Sequence, residues 1–209
     1  MKPSVPSPVV RENIEWCRIW VPDSASPDLA IPRILLIGDS IVMGYGEEVD
    51  KLLKGKASVA RLGTSRFTSD PALLDEIAMV LRHTAFDIIH FNNGLHGYEN
   101  SDADYEESLP VVLAAIRTGA PSARLMFAMS TPMRDPENLE KWHARAERIK
   151  LRNEMLCKLA ASEGLPVNDL YEVVLAHPEY YVPDGTHFNE LGNAALGAKV
   201  AGEIGKFLA

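Results

Sequence analysis

A chain of 209 residues with 46% hydrophobic and 24% charged residues is long enough to bury one full core and short for two. Its 29 acidic against 21 basic residues give a formal charge of -8, which repels phosphate backbones and anionic lipid and argues against nucleic acid and membrane as partners. No apolar run approaches the roughly eighteen residues that span a bilayer, and the opening MKPSVPSPVVRENIEW lacks the apolar stretch of a secretory signal. As written the chain reads as cytoplasmic, or as secreted or periplasmic if a signal peptide has been removed.

Residues 1–32 are rich in proline and serine, broken by ENIEWCRIWVPD with its two tryptophans, and are read as an arm packed on the core of a single domain, 33–209. Cys17 and Cys157 stand in no metal-type spacing and are expected to be free thiols. From Arg33 the pattern becomes regular. RILLIG is a short branched run closed by glycine, which suits a strand buried on both faces, and ASVARLG, FDIIHFNNG, ARLMFAMS and LPVNDL follow it.

Helical segments fill the gaps. Asp70 ahead of Pro71 opens a helix over 71–83, with Leu74, Ile77 and Leu81 as its buried stripe. Ser101 and Asp104 form a capping box that opens a second helix, running to about Thr118 and stopped by Gly119 and Pro121. A long charged stretch from about Pro136 to Ser162 ends at Gly164, and Leu196, Val200, Ile204 and Phe207 stripe the last helix. This alternation predicts an α/β fold, a parallel sheet covered by helices on both faces. Ligands in such folds bind beyond the carboxyl ends of the strands, where the strand order reverses.

Two segments carry chemistry. In IGDSIVMGYG, Ser40 follows the first strand at a helix start, where backbone N–H groups can hold a developing negative charge, while Asp39 is expected to fix the loop. The glycines lack the dinucleotide or P-loop spacing and no lysine follows, which disfavours a phosphate cradle. In VPDGTHFNELG, Asp184 and His187 lie three residues apart. A serine hydroxyl needs an imidazole to take its proton and a carboxylate to fix that imidazole's tautomer, and this pair suits the task. The alternative is a helix cap with a packed histidine. With no further ligand at metal spacing, neither metal nor cofactor is expected. His83, His90, His143 and His177 receive no role. The order serine, aspartate, histidine recurs in α/β-hydrolases, yet the nucleophile-elbow pattern is absent.

The arrangement resembles the SGNH (GDSL) hydrolase family, whose blocks are a Gly-Asp-Ser loop, a glycine loop, a Gly-X-Asn-Asp loop and a late Asp-X-X-His. The first and last blocks match at every defining position. The resemblance implies a three-layer, flavodoxin-like α/β/α sandwich with a five-stranded parallel sheet ordered 2-1-3-4-5. It implies that Ser40 is the nucleophile, His187 its base and Asp184 the orienting carboxylate. The middle blocks depart from the pattern: Arg66 stands where the family has the block II glycine, and His96 where it has the asparagine, with Gly94 and Gly97 on either side. The oxyanion hole is then expected from the N–H groups of Ser40 and Arg66 and the His96 ring, with Asn93 as the substitute for His96. Arg66 invites a second expectation, a guanidinium at the cleft rim that favours acidic substrates. Tyr45, Asn92, Asn93 and Tyr98 are expected to line the cleft. The function implied is a serine esterase for short-chain acyl esters, acetyl first, of small molecules or carbohydrates. A lysophospholipase or thioesterase is the alternative, and a non-catalytic binder of acylated ligands the second.

Overall fold

In the computed structural model, which describes residues 9–26 and 30–208, the five predicted apolar runs pair in parallel. They are β2 (Arg33–Gly38), β3 (Ser58–Thr64), β4 (Ile88–Phe91), β5 (Arg124–Ala128) and β8 (Val167–Asn168), in spatial order β3-β2-β4-β5-β8. Numbered by parallel strand alone, that is the 2-1-3-4-5 order the resemblance implied. A sixth strand, β1 (Cys17–Trp20), adds antiparallel to the β3 edge, pairing Cys17 with Thr64 and Trp20 with Arg61. The arm thus extends the sheet at this edge. Trp20 is 55% exposed, with the Arg61 guanidinium 5.8 Å from its ring.

Period-two alternation in β2 explains the two covered faces. Ile34 and Leu36 enter one apolar cluster, where they meet Val42, Tyr45 and Val49 of α1 (Ser40–Leu52) and Leu196, Val200 and Ile204 of α6 (Glu190–Leu208). Leu35 and Ile37 enter the other, against α2 (Pro71–His83), α3 (Asp102–Gly119) and α4 (Ala146–Glu163). Each side chain so buried contributes roughly 2 kcal/mol of transfer free energy, so both faces of β2 must stay covered.

Helix ends follow their caps. Asp70 accepts the Ala72 N–H at 2.9 Å, the Ser101–Asp104 box is closed in both directions, and Gly164 takes φ 65° to end α4. The α2 stripe is Leu73, Ile77, Val80 and Leu81, with Leu74 half-buried. Phe207 is likewise half-buried, while the three residues ahead of it in the α6 stripe are fully buried. The charged stretch from Pro136 is not helical throughout. It begins as a hairpin of β6 (Arg134–Asp135) and β7 (Asn138–Trp142), and α4 starts only at Ala146. Two side chains divert the backbone there: Asp135 accepts the Glu137 N–H and Asn138 the Glu140 N–H. The buried Arg134 then ties the hairpin down through the carbonyls of Leu139 and of Leu175, the last residue of α5 (Leu170–Leu175), and the face of Trp142, 4.2 Å away. Cys17 and Cys157 are free, and no described helix is long and apolar enough to cross a membrane.

Candidate active site

β2 lies between β3 and β4, so the chain leaves it at the point where the strand order reverses. Ser40 is the first residue of α1. Asp39 caps the helix, its Oδ1 accepting the Ile41 N–H at 2.9 Å. Burial pushes the Asp39 carboxyl up, and the neighbouring His96 and His187 rings and the Ile41 N–H hold it back only in part. Gly38 is required just before them, because a Cβ there would sit 2.1 Å from Val42 Cγ2. The Ser40 N–H, first amide of the helix, has no intrahelical acceptor and stands at the positive end of the dipole.

The loop before α6 brings in the other two groups. Asp184 Oδ1 accepts the N–H groups of Thr186 and His187 at 2.8 and 2.9 Å, and Oδ2 lies 2.7 Å from His187 Nδ1. Partial burial works to raise the Asp184 carboxyl, but the bonds from the His187 amide and ring and the Thr186 amide outweigh it and hold the group low, hence ionised at neutral pH. An ionised carboxylate only accepts, so Nδ1 carries the ring hydrogen and Nε2 presents a lone pair. That Nε2 lies 2.8 Å from Ser40 Oγ. The β6 hairpin steadies the turn, the Arg134 N–H donating to Gly185 O at 2.7 Å. Side chains of His187 and Asp184 remain 47% and 50% exposed, so the relay is open to solvent.

The loop after β4 places His96 in both clefts that flank Ser40 and His187. Gly97 takes φ 69°, and a Cβ on it would come within 2.3 Å of the Phe67 ring. Arg152, fully buried on α4, donates to the carbonyls of Gly94, His96 and Gly97 at 3.0, 2.7 and 3.1 Å. One guanidinium thus sets the shape of the loop that presents His96. Tyr98 lines the same cleft, with the Arg145 guanidinium 3.8 Å from its ring centre and its hydroxyl on Met133 Sδ.

Four other expected site residues lie elsewhere. The Arg66 N–H donates to Thr64 Oγ1 at 3.1 Å, and its guanidinium is surrounded by Glu15, Asp70 and Glu76 at 3.5, 3.3 and 3.4 Å, so neither amide nor side chain is turned to the cleft. Asn93 is buried, lines neither cleft beside Ser40, and donates to Arg66 O at 2.9 Å. Asn92 is buried too, its amide spent on Ala128 O and Ser130 Oγ. Tyr45 is fully buried in the core, edge-on to His90 with ring centres 6.4 Å apart. In their place the arm contributes Arg11, Glu12, Asn13 and Trp16 to the cleft walls, and α1 contributes Met43. The charged REN segment behind a proline-rich start was the sole hint of this in the sequence.

Ser40, His187 and Asp184 stand in line at the switch point of a parallel α/β sandwich, the geometry that serine-type hydrolysis requires. Residues 36–195 match the model of the GDSL-like lipase/acylhydrolase family; the chain belongs to that family and is a carboxylic ester hydrolase. No curated protein sequence matches it. Among solved structures it is similar to the lipase/acylhydrolase from Enterococcus faecalis, at 21% identity and TM-score 0.66, with 85% of this chain and 97% of that one covered. It is also similar to a carbohydrate esterase family 3 structure from Talaromyces cellulolyticus (15% identity, TM-score 0.68, 85% and 98% covered). The native aryl esterase of M. smegmatis is a third (16% identity, TM-score 0.67, 84% and 99% covered).

Proposed function

We propose that the chain is a serine esterase that removes short acyl groups, acetyl first, from hydroxylated small molecules or carbohydrates. The observation that carries this reading is the continuous relay from Ser40 Oγ through His187 to Asp184, at 2.8 and 2.7 Å. Ser40 Oγ attacks the ester carbonyl as its proton passes to His187 Nε2, and Asp184 stabilises the imidazolium so formed. The Ser40 N–H and the His96 ring receive the oxyanion. The tetrahedral intermediate collapses, His187 returns the proton to the departing alkoxide, and water, activated by the same imidazole, releases the acid from the acyl-enzyme.

The clefts on either side of Ser40 differ in character, which supports the substrate class. One, about 340 Å³, has Trp16 and Met43 in its walls, with Arg18 beside them, and the first two offer apolar surface to a short acyl group. The other, about 400 Å³, presents Arg11, Glu12, Asn13, Glu99 and Arg145, donors and acceptors suited to a leaving group rich in hydroxyls. A carbohydrate esterase among the similar folds accords with that side. The test is kcat/KM on nitrophenyl esters of increasing acyl length and on acetylated sugars, with Ser40→Ala as control. Acetate should be the best acyl group and Ser40→Ala inactive. A preference for long chains would move the assignment to the lysophospholipase or thioesterase reading.

A further inference from the structure

The smaller cleft beside Ser40 is walled by Trp16, Arg18, Met43, His96 and His187 and by no carboxylate. The register of the sheet brings Arg18 there. It pairs with Gly63 across the antiparallel β1–β3 edge, and residues directly opposite in such a pair project from the same face. For Gly63 that face is the α1 side, because a Cβ on it would meet Met43 Cγ at 2.5 Å and Asp39 O at 3.4 Å. Two residues further along β1, Trp20 stands against Arg61, whose stem lies against Gly46 of α1, as strand alternation requires. Arg18 is therefore rooted beside Met43 and the backbone just ahead of Ser40.

Its charge is not spent within the protein. Among the described residues Arg18 makes no ion pair and no side-chain hydrogen bond, whereas Arg11 is committed to Asp70, Arg61 to Glu47, and Arg66 to Glu15, Asp70 and Glu76. In a chain of net charge -8, an unpaired guanidinium in a recess without carboxylates is a local focus of positive potential. Its planar fork of donors matches a carboxylate. Building on the esterase reading, we infer that Arg18 is a specificity-determining residue that binds the distal carboxylate of a dicarboxylic half-ester, so that short acyl chains ended by a carboxylate, such as succinyl, are substrates. Trp16 and Met43 cover the methylenes, the guanidinium takes the carboxylate, and the ester carbonyl meets Ser40 Oγ. Hydrolysis releases the alcohol and the free diacid, water supplying the hydroxyl of the new carboxyl and the hydrogen of the alcohol. The order among neutral acyl groups, acetate first, is unaffected.

The test is the ratio of kcat/KM for monoethyl succinate over ethyl butyrate, followed by proton release in the parent, Arg18→Met and Arg18→Lys. Methionine should lower that ratio about tenfold, between the few-fold effect of an exposed ion pair and the larger effect of a fully formed charge-assisted bond. Lysine keeps the charge and loses the fork, and should retain part of the ratio. Added salt should lower the ratio in the parent, a readout that decides alone if the methionine variant does not fold. A second pair, 4-acetoxybenzoate and phenyl acetate, carries the carboxylate on the leaving group instead. A succinate-to-butyrate ratio in Arg18→Met within about twofold of the parent's would overturn the inference. So would a parent that hydrolyses ethyl butyrate but not monoethyl succinate, or an Arg18→Met effect confined to the acetoxybenzoate pair. Absence of Ser40-dependent turnover of every neutral ester would instead remove the esterase reading, so the two failures are separable.

Discussion

Replacing Arg152 by methionine keeps the buried stem and deletes the guanidinium that binds three carbonyls of the His96 loop. Hydrogen bonds from a charged donor contribute roughly 1.5–3 kcal/mol each, which sets a ceiling of about 9 kcal/mol for three. Burying the guanidinium costs part of this, and burial accordingly pulls the Arg152 pKa down, with Arg148 adding to it. The methionine chain leaves three inward carbonyls unpaired, and breaking a buried charged network of this kind costs about 3–5 kcal/mol. We expect Arg152→Met to lose about 4 kcal/mol in urea unfolding. Its kcat should fall with it, because the loop no longer has one shape. Arg152→Lys, with one ammonium for three carbonyls, should lose about half as much. A methionine variant within 1 kcal/mol of the parent, with normal kcat, would refute the reasoning that Arg152 shapes the loop.

His90 is fully buried, and burial lowers its pKa from 6.5 to about 4. Below pH 6.5 the unfolded chain takes up a proton that the native ring resists, so stability should decline as the pH falls from 6.5 and level off near 4. At about 1.4 kcal/mol per unit the loss is roughly 3 kcal/mol. His90→Gln should lack that component, and parallel stability–pH curves for the two proteins would contradict the assignment. Gly97→Ala should cost at least twice as much as Gly55→Ala: both positions have φ near 70°, but only at 97 would the new Cβ meet a neighbour, Phe67. Equal costs would show that Phe67 does not confine the loop. Asp184→Asn removes the charge that selects the His187 tautomer and should lower kcat by about 10⁴ while leaving the unfolding midpoint near the parent's; a loss below tenfold would exclude Asp184 from the relay.

What could be read from the sequence was whatever is encoded locally. RILLIG declares a doubly buried strand because every residue between its ends is apolar, and Asp70–Pro71 and Ser101–Asp104 declare helix starts because the cap lies within three residues of what it caps. That Ser40, Asp184 and His187 come together was legible because two short motifs carry them. Side-chain direction at a strand end is not local, and that is where reading failed. Asn92 and Asn93 follow β4 directly, but the loop turns both inward, onto Ala128, Ser130 and Arg66. Tyr45 is placed by the α1 face that packs on α6 and so points away from the cleft. The partners of Arg66 come from the arm and α2, and Glu12 reaches His96 across 84 residues of sequence. The hairpin at 134–142 was hidden by a composition of glutamate, lysine and leucine that favours helix, overridden by two side-chain turns and by Arg134.

The most direct test of Ser40 as an activated nucleophile is labelling by a fluorophosphonate, read by intact mass and peptide mapping. Folded parent protein should take up one adduct per chain, on Ser40, with none on Ser40→Ala and far slower uptake by His187→Ala. Folded parent protein that takes up no label, or takes it up on another residue, would contradict the relay at the centre of this account.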